Sequence, residues 1–221
     1  MPSLATEPTS RLRLPPPRER RRRLRRRARA RRSALGPLQI AVGRADQQLL
    51  VAMRTHLHRP LGDRAAQAFG AFGEYGAGWA AIGFIGAAAD PRRRPRLLAA
   101  ALAGPCAVGL NSLAKRMVGR ERPVIEGHPP LGPAPSKLSF PSAHSTSAVA
   151  AATVLGRVAP RTRAALWTLA ALICVGRPYL GMHYPSDVLA GVALGYGIGR
   201  LWPLPPEPGE AGEAGEPEED R

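Results

Sequence analysis

Apolar residues dominate the middle of the chain and thin out at its two ends. Five apolar stretches follow one another: about 67–89, with one charge at Glu74; about 97–114, with none; about 143–157, rich in Ala, Ser and Val; about 164–180, interrupted late by Arg177; and about 188–202, ending at Arg200 and Trp202. Each reads as a helix. Several fall short of the ~20 residues that a bilayer core asks for. They are Ala- and Gly-rich rather than Leu-rich, so hydropathy alone also admits a soluble helical core. Gly70, Gly73, Gly76, Gly191, Gly195, Gly197 and Gly199 suit close helix–helix approach in lipid. Ahead of these stretches, residues 45–62 place Leu49, Leu50, Met53 and Leu57 at helical spacing. This predicts an amphipathic helix, lying in the membrane interface or on a soluble surface. The expected fold is all-α: a membrane-embedded bundle of about five transmembrane helices behind an N-terminal amphipathic helix.

The ends differ in kind. Residues 1–35 hold a Pro triplet and thirteen Arg between Arg11 and Arg32, without apolar periodicity. They are expected to form a disordered Arg-rich tail. Residues 203–221 are acidic and rich in Pro and Gly, and are expected to be a second disordered tail. The folded domain is therefore expected over 36–202. Lys and Arg number 32 against 16 Asp and Glu, a formal net charge of +16, and a large part of that excess is the one N-terminal patch. The chain start lacks a basic stretch leading directly into an apolar one, so no cleavable signal peptide is expected. Cys106 and Cys174 sit inside apolar runs and read as small buried side chains. Two such cysteines exclude a disulfide-stapled secreted domain and a zinc module.

Polar residues gather at the ends of the apolar stretches. One cluster runs from Lys115 to Arg122 and Pro123, after the second stretch. Another is Phe140-Pro141-Ser142-Ala143-His144-Ser145, before the third. The last runs from Gly176 and Arg177 through His183 to Asp187, joining the fourth to the fifth. In an antiparallel bundle the second-to-third and fourth-to-fifth connections emerge on one side. That gathers two His, an Asp, a Ser and at least three cations at one face. Lys115, Arg122 and Arg177 supply fixed positive charge and forked donors suited to a tetrahedral oxyanion. Pro141-Ser142 before an Ala-rich run marks a helix start, whose free N–H groups suit phosphate. One His can attack phosphorus while another protonates the leaving oxygen. Asp187, four residues after His183, can hold its ring N–H. No set of acidic residues and His reads as a metal cage, so no metal or cofactor is expected and cations must offset the phosphoryl charge. Taken singly, these residues have ordinary explanations: a Lys or Arg at a span end is an anchor, and a Pro-Ser pair is a cap. Their joint occurrence points to phosphoryl chemistry. His56, His58 and His128 match no part of this pattern and read as surface or interface residues. Glu74, a charge inside a span, is a functional or helix-pairing candidate.

The three clusters resemble the signature of the type 2 phosphatidic acid phosphatase (PAP2) superfamily, which also includes vanadium haloperoxidases. That signature is K-x6-RP, then PSGH, then R-x5-H-x3-D. Lys115 stands six residues before Arg122-Pro123; Pro141-Ser142-Ala143-His144 has Ala where the family usually has Gly; Arg177, His183 and Asp187 fit the last motif, with Gly176 where Ser is usual. The resemblance implies His183 as the nucleophile that forms a phosphohistidine, oriented by Asp187. It implies His144 as general acid for the leaving alcohol and then base for water. Lys115, Arg122, Arg177 and Ser142 would hold the phosphoryl oxygens, helped by the backbone N–H of Ala143. No metal is implied.

The stretch 138–147 and the small size are similar to actinobacterial members of the family that dephosphorylate decaprenylphosphoryl-5-phosphoribose in cell-wall arabinan synthesis, and the Arg/Ala/Gly/Pro-heavy composition fits a GC-rich bacterial genome. Undecaprenyl diphosphate and phosphatidic acid or phosphatidylglycerol phosphate stay open as substrates. The Arg-rich tail argues for a plasma-membrane protein with a cytoplasmic active site, although the loops at 90–96 and 157–163 are basic too. The expected partners are a phosphorylated membrane lipid and the bilayer, with no nucleic acid. Two other classes remain: a haloperoxidase-like enzyme, and a non-catalytic membrane adaptor whose Arg tail holds nucleic acid or anionic lipid.

Overall fold

Prolines and glycines cut the apolar stretches into eight α-helices among the described residues. They are α1 (40–56), α2 (Pro60–Phe72), α3 (Ala77–Ala89), α4 (Arg94–Ala101), α5 (Ala103–Val118), α6 (Ala143–Val158), α7 (Arg163–Tyr179) and α8 (Pro185–Leu201). The structure is a computed structural model that describes residues 40–134 and 136–207. The tail expected over 1–35 lies outside the described residues, as does the acidic tail from 208 onward. Contacts divide the chain into one unit at Met1–Arg44, of which 40–44 are described, and another at Ala45–Arg221. Pro lies in the first turn of α2, α4 and α8, where its missing N–H costs no helix bond. Gly119 closes α5 in the left-handed region at φ 70°. The described residues contain no β-strand; a single antiparallel bridge, Glu121–Leu138, pinches the connection between α5 and α6.

Two expected elements are corrected. The amphipathic helix predicted over 45–62 stops at 56, because Arg59 precedes Pro60 and is forced into the extended region at φ −141°, ψ 141°. Its inward stripe is also different: Asp46, Leu50 and Arg54, at i, i+4 and i+8, are buried, whereas Leu49 and Leu57 are exposed. The first apolar stretch, expected as one span over 67–89, is broken by a 3-10 turn at Glu74–Gly76 that separates α2 from α3. In that turn Tyr75 takes φ 51° and Gly76 φ 77°. A Cβ at Gly76 would lie 2.7 Å from the backbone carbon of Gly104, so this kink is seated directly on α5.

The later helices lie where expected, around α6. Every residue of α6 from His144 to Gly156 is buried. It packs against α5, α7 and α8, and a face of α4. This helix can be enclosed because it is built of Ala, Ser, Thr and Val. Its hydroxyls bond within the helix: Thr146 Oγ1 donates to Ser142 O at 2.9 Å, Ser147 Oγ to His144 O at 3.1 Å and Thr153 Oγ1 to Val149 O at 2.7 Å. Helix α8 meets it through glycines four residues apart. A Cβ at Gly191 would stand 2.7 Å from Ser142 O, one at Gly195 would collide with Thr146 O, and one at Gly199 would stand 2.6 Å from Thr153 Cβ. At the N-terminal end of this seam, Ser142 N donates to the carbonyl of Asp187 at 3.0 Å.

Beside the apolar core, the distribution of polarity departs from that of a soluble bundle. Asp46, Asn111, Lys115, Ser142, His144, Arg177, His183 and Asp187 are buried, while Leu110, Leu113 and Met117 of α5, Leu172 and Val175 of α7, and Leu189 of α8 are exposed. Among the described residues one helix is long and apolar enough to cross a membrane, the nearly continuous Arg94–Val118. Cys106 on α5 is exposed, not buried as expected, because it lies on this outward face; Cys174 is buried. Residues 203–207, assigned to the acidic tail on sequence grounds, pack on the domain. Leu204, half-buried, packs against the core, and Arg96 Nη1 stands 2.6 Å from Glu207 Oε1.

The seam between α6 and α8 generates a stability prediction. Gly195→Val is expected to cost about 1–3 kcal/mol. Gly197→Val, where nothing lies within 4 Å of an added Cβ, is expected to leave the thermal midpoint nearly unchanged. Circular-dichroism melts of the detergent-purified variants check the contrast.

Candidate active site

The connections before α6 and before α8 meet in one cavity of about 270 Å³, whose walls include Lys115, Arg122, Ala143, His144, Arg177 and His183. Lys115 reaches it from the last turn of α5, Arg122 from the pinned α5–α6 connection, His144 from the first turn of α6, and Arg177 from the last turn of α7. His183 sits in the short link between α7 and α8, and Asp187 in the first turn of α8. Of the eight residues singled out from the sequence, six line the cavity. Asp187 stands behind His183. Ser142 caps α6, fully buried, and accepts from Ser145 Oγ at 3.0 Å, so it supports the helix start rather than forming a wall.

The three cations are held without being neutralised. Lys115 Nζ donates to Leu138 O at 3.1 Å; Arg122 donates to Ser136 O and Met182 O, both at 2.7 Å; Arg177 Nη2 contacts Met182 Sδ at 2.6 Å. Among the described residues none of the three has a carboxylate within 4.0 Å. Carbonyl and thioether partners orient such groups but cannot cancel their charge, so the cavity is built for an anion. Burial lowers the pKa of the Arg122 guanidinium, opposed by the fields of Asp187 and Glu74. No group of three or more His, Cys, Asp or Glu that could hold a metal ion occurs among the described residues.

The imidazoles are polarised in opposite ways. Arg122 Nη1 lies 3.1 Å from His183 Nε2 and has only protons to offer, so Nε2 keeps its lone pair and the ring proton belongs on Nδ1. Nδ1 faces Asp187 Oδ2 at 3.6 Å, beyond hydrogen-bond reach, and has no other partner. A small ring movement would close that bond, as happens when catalytic pairs tighten around a substrate. Burial pushes the His183 pKa down to about 4, against the pull of Asp187, with Arg122, Arg177 and Lys115 pushing the same way. The ring is thus neutral at ordinary pH, with its Nε2 lone pair facing Arg122. His144 is set the other way: its Nε2 faces two acceptors, Gly70 O at 3.1 Å and Glu74 Oε2 at 3.3 Å, and so carries a proton.

Sequence reasoning missed the clamp behind this dyad. Arg120 Nη1 donates to Asp187 Oδ1 at 2.8 Å, and Nη2 to Asp46 Oδ2 at 2.8 Å. Asp46 Oδ1 accepts from Ser186 N at 2.8 Å, and Asp187 Oδ2 from Tyr184 N at 2.9 Å. Arg120 also lies 4.0 Å above the Tyr184 ring. The signal was present as an Asp on the helix at 45–62 and a second Arg between Lys115 and Arg122, but nothing in the spacing joins them. His58, read as a surface residue, is half-buried: it meets Asp63 at 2.8 Å and Arg54 at 2.7 Å and stacks on Tyr179. Arg54 in turn donates to Pro129 O at 2.6 Å, tying α1 to the α5–α6 connection. His56 is exposed, as expected, and His128 is half-buried.

Comparison with known proteins is consistent with this geometry. The family model described as PAP2 superfamily matches residues 95–205. The chain is 39% identical over 162 residues to decaprenylphosphoryl-5-phosphoribose phosphatase of Mycobacterium tuberculosis (strain CDC 1551 / Oshkosh), covering 72% of this chain and 89% of that protein. It is 40% identical over 152 residues to the protein of the same name from Mycolicibacterium smegmatis, covering 67% and 82%. The crystal structure of Aquifex aeolicus LpxE matches with a TM-score of 0.56 and 25% identity over 70% of this chain and 92% of that one.

Two predictions follow from the dyad. Arg120→Met is expected to lower kcat roughly 100-fold by loosening Asp187, and Asp46→Asn to add little to that loss, because both act through one contact; steady-state phosphate release on the single and double variants checks this. A neutral His183 also sets the acid side of the pH profile. The acid limb of kcat/KM is expected near 4 rather than at the ordinary histidine value of 6.5. The unfolded ring takes its proton near 6.5 and the folded one only near 4, so this group costs stability as pH falls through that window.

Proposed function

Because the chain belongs to the PAP2 superfamily, we propose that it is a bacterial membrane-lipid phosphatase that removes the terminal phosphate of decaprenylphosphoryl-5-phosphoribose through a phosphohistidine. The observation that carries this reading is the single cavity in which three unneutralised cations face one imidazole bearing a lone pair and another bearing a proton. The extent of the mycobacterial likeness supports the substrate.

The chemistry proceeds from the placement of the protons. Phosphoryl oxygens take the donors of Lys115, Arg122, Arg177 and the Ala143 N–H. Arg122 releases His183 Nε2 as it turns to the phosphate. Nε2 attacks phosphorus, and Asp187 stabilises the charge that reaches Nδ1. The ester P–O bond breaks and the leaving oxygen takes a proton from His144, which enters this step as the imidazolium paired with Glu74 and leaves it as the neutral ring. Neutral His144 then takes a proton from the water that attacks phosphorus, the P–N bond breaks, and inorganic phosphate, neutral His183 and the His144 imidazolium are restored. The cations stabilise the added charge of both transition states.

The outward Leu, Val and Met of α5, α7 and α8 support a bilayer setting. Five spans are then α2–α3 taken together, α4–α5, α6, α7 and α8. The last three, of 16 or 17 residues each, reach roughly 25 Å, which calls for a thin or locally adapted bilayer. The contacts of Asp46 and Arg54 put this part of α1 at the same end as the catalytic connections. That supports a site on the side that retains the Arg-rich stretch, the cytoplasm.

The test is phosphate release from a panel of phosphorylated prenyl lipids and glycerolipids by detergent-purified wild type and His183→Ala. The wild type is expected to act on the phosphopentosyl lipid, to resist EDTA and to be inhibited by vanadate. His183→Ala is expected to lose roughly 1000-fold or more. Equal release by the two proteins overturns the mechanism.

A further inference from the structure

Glu74, the one charge in the first apolar stretch, is a functional or helix-pairing candidate on sequence grounds. The backbone goes out of its way to place it. Tyr75 is the one non-glycine residue with positive φ among the described residues, a conformation that costs energy and persists only where its surroundings enforce it. Here the enforcement is Gly76 wedged on Gly104 and Pro105. The result is a carboxylate 3.3 Å from His144 Nε2, although Gly70 O already holds that nitrogen at 3.1 Å. Glu74 is therefore not needed to position the ring.

Glu74 also marks a boundary. With Tyr75 and Arg177 it is shared by the phosphate cavity and a neighbouring cavity of about 610 Å³. That second space is mainly apolar, walled by Leu131, Leu180 and Met182, with Gln67 at its polar part. The cations stand where the transferred phosphoryl group must lie, while Glu74 stands beside the group that protonates the departing oxygen. A negative charge there meets the leaving group, not the phosphate.

We infer that Glu74 and the adjoining cavity form a leaving-group subsite that accepts a neutral, hydroxyl-bearing carbon unit such as a furanose ring and excludes an anionic one. Sugar hydroxyls donate to the carboxylate. The second phosphoryl group of a prenyl diphosphate, bonded directly to the bridging oxygen, would press its anionic oxygens against it. The enzyme then cleaves lipid-linked sugar phosphates in preference to prenyl diphosphates of the same chain length. This inference rests on the reading of the site as a phosphatase, and the experiment separates the two.

In detergent, kcat/KM is measured for a prenylphosphoryl phosphopentose and for the matching prenyl diphosphate, with wild type, Glu74→Gln, Glu74→Asp and His183→Ala. Wild type is expected to favour the phosphopentose. Glu74→Gln, isosteric and uncharged, is expected to shift the ratio toward the diphosphate about tenfold, the size of one like-charge contact in a half-exposed site. Glu74→Asp, which keeps the charge, is expected to retain most of the preference. A wild type that prefers the diphosphate, or a ratio unchanged in Glu74→Gln, overturns the subsite while leaving the phosphatase reading intact. Undiminished activity in His183→Ala overturns that reading, and the subsite with it.

Discussion

The structure depends on how closely α8 can approach α6. Three glycines at i, i+4 and i+8 put the α8 backbone against carbonyls and small side chains of α6, closer than any side chain would allow. The seam brings the two helix starts together, with Ser142 N bonded to the Asp187 carbonyl. His144 follows Ser142 by two residues, and His183 precedes Asp187 by four. The meeting of the two imidazoles is thus a consequence of backbone packing in the core. Lys115 and Arg177 are then delivered by the ends of α5 and α7, which pack on α6 from other sides.

Around that frame, charge is distributed unevenly. Asp187 is buried and fully engaged, by Arg120 on one oxygen and a backbone N–H on the other. Asp46 is engaged likewise. The cavity cations, in contrast, rest on carbonyls and a thioether. Asp187 and Asp46 are thus tied up behind the cavity, and Glu74 stands at its edge. That is how a buried cationic site stays open to an anion while the carboxylates it needs for support are still present.

Much of this was legible in the sequence, for identifiable reasons. The later helices were marked by Pro, Gly and polar clusters at their ends, so α6, α7 and α8 begin and end near the expected positions. The residues of the three motifs stand at helix ends, where spacing along the chain translates directly into shared location. What was not legible depends on contacts between distant segments. The break at Glu74–Gly76 arises because Gly76 meets Gly104, which no local pattern announces. The inward stripe of α1 was misjudged because Asp46 and Arg54 find partners in the α5–α6 connection and α8, so polar residues outcompete Leu49 and Leu57 for burial. The exposure of Cys106 reverses a rule that holds for water-facing surfaces only.

Helix α6 has a property its neighbours lack: it turns no face outward. Its Ser, Thr and His side chains are all turned into protein, and its 16 residues make it a short segment for a bilayer. A segment of this kind gains little by entering lipid alone and much by entering a slot already lined with protein. Insertion order therefore matters for this bundle: the slot for α6 has to be assembled from later helices as well as earlier ones, so the segment that carries His144 settles only when the rest of the chain has been made.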